Sequence, residues 1–137
     1  MKHLNTDIAI IGAGTAGMSA YRTVKEAGLK CILIEGGPYG TTCARVGCMP
    51  SKLLIAAAEA AHCATHSAGF GVHVQGKVYV NGREVMERVR SERDRFVGFV
   101  LEAIEGFDPA DQLQGSARFV SNTELQVDDH TRVSASR

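Results

Sequence analysis

The sequence lacks an excess of either charge: fifteen basic and fifteen acidic residues cancel. No long-range field therefore draws it to nucleic acid or to an anionic membrane surface. It also lacks a long hydrophobic run. The apolar stretch Ile8–Ile11 that follows the first residues is too short for a signal peptide and far too short to span a bilayer. The default compartment is the cytoplasm, and no membrane partner is expected. Cysteine is scarce, with four residues (Cys31, Cys43, Cys48, Cys63) in 137, too few for a disulfide scaffold. A pair that forms in a reducing cytosol is catalytic or redox-sensing rather than structural. There is no internal repeat, no low-complexity tract and no linker rich in proline, glycine or serine.

What is present is ordinary globular usage, 45% hydrophobic and 22% charged. The length suits one domain with a real core, since a chain near this size buries roughly 68–70% of its unfolded surface. Asp7-Ile-Ala-Ile-Ile11 reads as a strand buried on both faces of a parallel sheet. From Thr15 to Ala27, the apolar positions Ala16, Ala20, Val24 and Ala27 recur at helical spacing, and Gly28 supplies the stop. Lys30–Glu35 returns to a strand, which completes a βαβ unit.

Gly36–Gly40 breaks the regular structure. A second helix is expected from Cys48–Ser51 through the alanine-rich stretch to about Thr65, which leaves the cysteine pair on a loop entering that helix. After a turn at Ala68–Gly71, Arg83–Ile104 reads as a long helix with Val85, Val89, Phe96, Val100 and Ile104 down one side and a solvated charged face opposite. Ser116–Val120, Thr123–Val127 and Thr131–Ala135 alternate as short antiparallel strands of a small β-meander.

Gly12-Ala-Gly-Thr-Ala-Gly17 is a G-x-G-x-x-G motif lying directly after a strand and opening a helix, the context that gives it meaning. Gly12 permits the tight turn, Gly14 lets backbone approach a pyrophosphate, and Gly17 lets helix pack on strand. The phosphates then sit at the positive end of the helix. Glu35 ends the second strand, where a carboxylate accepts hydrogen bonds from a ribose diol and disfavours a 2′-phosphate. Its removal is expected to weaken dinucleotide binding with little effect on the fold. The motif alone does not separate FAD from NAD.

Cys43-Ala-Arg-Val-Gly-Cys48 leaves four residues between two thiols. The chain must turn to bring them within disulfide reach, and Gly47 allows it. With Cys48 at a helix N-terminus, the dipole stabilises a thiolate and lowers its pKa. No second cysteine pair follows at ligand spacing, which argues against structural zinc. The spacing by itself leaves a redox pair and a pair of inert thiols equally open.

The flanking residues resolve this. Gly40-Thr-Thr-Cys-Ala-Arg-Val-Gly-Cys-Met-Pro-Ser-Lys52 closely resembles the active-site segment of the pyridine nucleotide–disulfide oxidoreductases, the family of dihydrolipoamide dehydrogenase, glutathione reductase and mercuric reductase. The resemblance implies a Rossmann-like FAD-binding α/β fold, with Gly12, Gly14, Gly17 and Glu35 on the adenosine diphosphate part of FAD and Thr42 among the cofactor contacts. It implies that Cys43 attacks or releases substrate, that Cys48 faces the flavin, and that Lys52 approaches the flavin ring. In the intact protein, electrons would pass from NAD(P)H to FAD, to the Cys43–Cys48 pair, and then to a small-molecule or protein-bound disulfide. A homodimer is implied for the full-length protein.

Two residues depart from the family pattern. Thr41 stands where a second glycine is common, and Arg45 where an asparagine is common; both bear on substrate identity more than on the redox role. The family's proteins are several times longer, so residues 1–137 are expected to be the N-terminal part of an FAD/NAD(P)-binding domain. The nicotinamide and dimerisation domains, and the C-terminal His-Glu pair that acts as acid and base, are not among these residues. The chain alone is therefore expected to be inactive. The alternative is a stand-alone dinucleotide-binding or redox-sensing module that uses its cysteines without turnover. Cys31 and Cys63 read as structural, small buried hydrophobes. His62 and His66, spaced i, i+4, lack a third ligand, and no metal is assigned.

Overall fold

The computed structural model describes residues 1–137. In chain order the elements are β1 (Lys2–Thr6), β2 (Ile8–Ile11), α1 (Thr15–Glu26), β3 (Cys31–Glu35), α2 (Thr42–Val46), α3 (Cys48–His66), α4 (Gly82–Glu105), β4 (Gln112–Gln114), β5 (Ala117–Phe119), β6 (Glu124–Val127) and β7 (Thr131–Ala135), with short 3-10 turns at Ser67–Phe70 and Pro109–Asp111. The chain divides into two compact units, Met1–Thr41 with Val100–Arg137, and Thr42–Phe99. No helix is long and apolar enough to cross a membrane.

The first unit is built on β3. Its side chains alternate between faces, as the two-residue period of a strand requires. Cys31 and Leu33 join Met18, Tyr21 and Val24 of α1 and Ile104 and Phe107 in one core cluster. Ile32 and Ile34 join Leu125, Val127 and Val133 of the second sheet in another. A strand buried on both faces must be apolar throughout, which is why Cys-Ile-Leu-Ile reads as an unbroken run. Full burial of each Leu, Ile or Val contributes about 1.5–3 kcal/mol.

β3 pairs in parallel with β2 on one side and β4 on the other. The βαβ unit is thus as expected, but the third strand was not. Gln112-Leu-Gln114 has no strand-like run, and it is held by side-chain amides: Gln112 Nε2 donates to the carbonyls of Ile104 and Phe107, and Gln114 Nε2 to that of Gly37. The second sheet has the order β1-β7-β6-β5. Its antiparallel β5-β6-β7 part is the expected meander. The addition is β1, which pairs in parallel with β7 from Lys2 opposite Thr131 to Thr6 opposite Ala135.

The bounds of α1 agree with expectation, but its buried face does not. Met18, Tyr21 and Val24 are buried, whereas Ala16, Ala20 and Ala27 are exposed. Bulky side chains gain more from burial than alanines do, and they take the inward face. Tyr21 is the anchor of that face. Its ring stacks on Phe107 with centroids 4.2 Å apart. Its hydroxyl donates to Asp111 Oδ2 at 2.9 Å and accepts from the Asp108 N–H at 3.2 Å. Lys25 Nζ reaches the same Asp111 oxygen at 2.8 Å. One tyrosine therefore ties α1 to the turn after α4.

The second unit holds α2, α3 and most of α4. α4 starts at Gly82 because Asn81 caps it: Asn81 Oδ1 accepts from the Arg83 and Glu84 N–H groups, and Asn81 Nδ2 donates to Glu84 Oε1 at 2.7 Å. This is a reciprocal capping arrangement. α3 carries no buried residue; beside Pro50, its half-buried positions Met49, Leu53, Ala57, Ala61 and Ala64 recur every three or four residues, as one helical face must. Cys31 is buried as expected, but Cys63 is exposed. It falls beside the alanine stripe rather than on it, so its reading as a buried structural residue is corrected.

Replacing Tyr21 by Phe keeps the ring stack and removes the hydroxyl, leaving the Asp108 N–H without its acceptor. We expect a loss of about 1–3 kcal/mol in stability by urea denaturation. A loss below about 0.5 kcal/mol, the usual range for a surface substitution, would show that the hydroxyl is not a tie.

Candidate active site

The dinucleotide motif lies where β2 hands over to α1. Gly12 takes φ +98°, a conformation open to glycine at no steric cost, and its N–H donates to the Ile34 carbonyl at 2.7 Å. A Cβ on Gly17 would lie 1.8 Å from the Gly12 carbonyl oxygen, so no side chain is possible there. A Cβ on Gly14 would meet nothing within 4 Å. The N-terminus of α1 has no side-chain cap and no acidic residue in its first turn. These features together fit an anion-bearing dinucleotide: an uncapped helix end offers its N–H groups, and the space beside Gly14 is clear.

Glu35 does more than its position at the end of β3 suggested. Its Oε2 accepts from the Ala13 N–H at 2.7 Å and its Oε1 from the Gly37 N–H at 2.8 Å. The carboxylate braces the glycine turn from the neighbouring strand. A carboxylate has about four acceptor sites, so capacity remains for a ribose. Tyr39 lies near enough that, after burial, the Glu35 charge is a second cause holding its hydroxyl above the usual range.

The cysteines lie in the second unit. Cys43 is on the short helix α2 rather than on a loop, and Cys48 is the first residue of α3. The hexapeptide is thus a helix, one glycine and a second helix. A Cβ on Gly47 would lie 3.1 Å from the Thr42 carbonyl oxygen and 3.5 Å from Cys43 Cα. This close approach brings the start of α3 against the start of α2. Upstream, Thr41 takes φ +59°. A β-branched residue here sits in the left-handed region, at a cost of order 1–3 kcal/mol.

Cys43 is half-buried and Cys48 exposed, and both are free thiols. A hydrogen bond with the Cys48 thiol raises the Cys43 thiol above its ordinary value, with burial and the charge of Cys48 acting in the same direction. The Cys48 backbone and the charge of Lys52 pull it down, and the raising causes win. Cys43 is therefore held protonated more firmly than an ordinary thiol. Lys52, exposed one turn into α3, thus acts electrostatically on Cys43; Thr42 is exposed at the start of α2. His62 and His66 stack with ring centroids 4.0 Å apart, and no group of three or more metal-ligating side chains exists.

The structure thus assembles Gly12, Gly14, Gly17 and Glu35 in one unit and Thr42, Cys43, Cys48 and Lys52 in the other. Sequence reasoning missed Ala13 and Gly37 as partners of Glu35; these are backbone groups and leave no residue-type signal.

A dinucleotide cradle and a hydrogen-bonded dithiol define a redox protein of the nucleotide-binding α/β class. Residues 6–130 match the family described as pyridine nucleotide-disulphide oxidoreductase, and the chain belongs to that family. It is 34% identical over 124 residues to dihydrolipoyl dehydrogenase of Chlamydia trachomatis, covering 88% of this chain and 26% of that protein. To dihydrolipoyl dehydrogenase of Staphylococcus aureus it is 34% identical over 126 residues, covering 92% and 26%. Among solved structures, the HOCl-induced flavoprotein disulfide reductase RclA from Escherichia coli, in its Cu(II) complex, aligns with a TM-score of 0.64 at 23% identity, covering 98% of this chain and 27% of that one. That likeness shows a shared fold. The chain spans about a quarter of the length of these relatives, 26% to 27%.

Replacing Glu35 by Ala leaves the Ala13 and Gly37 N–H groups unpaired. The expectation of little effect on the fold is therefore revised: we expect a loss of about 1–3 kcal/mol in stability without any ligand present. An unchanged denaturation midpoint would show that the carboxylate serves ligand alone.

Proposed function

We propose that this chain is the FAD-cradling, dithiol-bearing segment of a dihydrolipoyl dehydrogenase-like oxidoreductase that works between NAD(P)H and a small or protein-bound disulfide. FAD, when bound, supplies a two-electron store between the nicotinamide and the thiols. Gly12, Gly14 and Gly17 hold its pyrophosphate against α1, Glu35 takes the ribose, and Thr42 and Lys52 contribute contacts nearer the flavin. The assembled protein is a cytoplasmic homodimer in this reading.

The observation that carries the proposal is the hydrogen-bonded pair Cys43 and Cys48 held at the junction of α2 and α3. Oxidation joins the two sulfurs and releases two electrons and two protons; reduction reverses this. The Cys43 proton must leave before Cys43 attacks a disulfide, since the thiolate is the nucleophile. Its raised pKa makes a positioned base valuable at that step. His62 and His66 do not serve, because the rise of α3 sets them about 20 Å or more along the helix axis from Cys48. The names of the similar dehydrogenases support a dithiol or disulfide as the substrate class.

The test uses the full-length protein. Anaerobic NADH or NADPH should unmask two additional thiols per chain, and Cys43→Ser or Cys48→Ser should abolish the increment while the cofactor stays bound. Retention of the increment in either variant would refute the proposal. The 137-residue chain supplied with FAD should oxidise no NAD(P)H with lipoamide or glutathione disulfide as acceptor. It holds one dinucleotide cradle, and hydride transfer depends on the nicotinamide being positioned against the flavin. Turnover by the short chain that vanishes in Cys43→Ser would place the whole active site within these residues.

A further inference from the structure

The C-terminal half of α3 carries a second group of chemistry-bearing side chains, apart from the dithiol at its start. His62 and His66 are one helical turn apart, the spacing at which two side chains meet on a helix surface. Both are exposed, off the half-buried stripe of Ala57, Ala61 and Ala64. Their rings lie side by side, with centroids 4.0 Å apart and planes at 25°. His66 Nδ1 is 2.9 Å from the His62 carbonyl oxygen and 2.9 Å from Thr65 Oγ1. A carbonyl oxygen only accepts, so Nδ1 carries the proton, and in the neutral ring the lone pair of His66 is on Nε2. The ring nitrogens of His62 carry no hydrogen bond; its ring contact is with His66.

We infer that His62 and His66 form a chelating site for a borderline divalent transition-metal ion of the nickel, copper or zinc class. Imidazole nitrogen suits these ions, whereas calcium and magnesium take oxygen ligands. The same i, i+4 spacing places two histidines on one metal in zinc-binding helices. The hydrogen bond from His66 Nδ1 to a backbone carbonyl is the support a metal-bound histidine commonly has: it fixes the tautomer and makes the coordinating nitrogen more basic.

No third histidine, cysteine or carboxylate joins the pair, and exposure leaves the remaining coordination positions to water. The site is thus open and exchangeable rather than a closed structural centre. The near-parallel rings must swing for both Nε2 atoms to converge on one ion, which exposed rings do without repacking a core. The rise of α3 sets the pair about 20 Å or more from Cys48 along the axis, so this site stands or falls independently of the dithiol reading.

The test is equilibrium dialysis of the full-length protein against Ni(II), in a Cys43→Ser, Cys48→Ser background that removes the dithiol as a competing ligand. Ni(II) is the probe because it takes imidazole and, unlike Cu(II), does not oxidise thiols. At about 0.1 mM free Ni(II), His62→Gln and His66→Gln should each lower the bound metal by one ion per chain, since losing one ligand forfeits an intramolecular second bond and weakens the site about 100-fold. Cys63→Ser should leave the count unchanged, although that thiol is exposed beside His62. The double variant Ala60→His, His62→Gln keeps the number of histidines but sets the two in α3 six residues apart, and should bind no better than His62→Gln.

An unchanged count in either single glutamine variant, or a full count in the double variant, overturns the chelate. Loss of the ion in Cys63→Ser overturns its assignment to two imidazoles. A measurement on the unsubstituted histidines keeps folding of the variants out of the question: Ni(II) should protect His62 and His66 together from modification by diethylpyrocarbonate, read by peptide mass spectrometry. Protection of one without the other, or of neither, overturns the inference.

Discussion

The first unit depends on one close approach, the carbonyl oxygen of Gly12 standing where a side chain at Gly17 would be. At 1.8 Å from an ideal Cβ, that oxygen leaves no room for even a methyl group. Because it is tolerated, α1 starts directly after β2 and packs back over the sheet. The same contact sets the position of the helix N-terminus, so the feature that allows the fold also leaves an uncapped helix end beside the glycine turn. Glu35 closes the arrangement from β3 by accepting from Ala13, and the core beneath is completed by Tyr21 and Phe107.

The second unit repeats the device on a smaller scale. Gly47 lies against the Thr42 carbonyl and Cys43 Cα, and the absence of a side chain there brings two thiols into hydrogen-bonding reach across a helix junction. The pair is asymmetric. Cys43 is half-buried with its thiol raised above the ordinary value, and Cys48 is exposed at the head of α3, a helix with no side-chain cap and no acidic residue in its first turn. In the proposed reading, an unequal pair suits sequential thiol–disulfide exchange, in which one sulfur attacks and the other leaves. Thr41 adds backbone strain one residue before α2 begins, and Arg45 adds charge within it.

The site was legible where chemistry imposes residue types and obscure where backbone does the work. A G-x-G-x-x-G motif between strand and helix, an acid at the end of the next strand, and two cysteines in a characteristic segment are all visible in order along the chain. The hydrogen bonds of Glu35 to Ala13 and Gly37 are not, because backbone N–H groups are the same in every residue but proline. Nor was the cleft that Arg45 and Val46 share with Arg93, Asp94 and Val97 visible. Arg45 and Arg93 lie 48 positions apart in the sequence, and no local pattern joins them.

The sequence by itself determined the βαβ unit, the three long helices to within about three residues, the meander and the placing of the glycine motif at a strand-to-helix turn. These are local matters: periodicity, capping and glycine placement act over a few residues. Only the tertiary structure decided what pairs with what. β1 has one partly apolar position in a polar segment and becomes a strand because β7 returns beside it. β4 is Gln-Leu-Gln and joins the parallel sheet because β3 offers an open edge and side-chain amides hold it there. Which face of α1 turns inward, and that Cys63 turns outward, were likewise decided by the competition for burial, in which bulky side chains at one angle of a helix outweigh alanines at another.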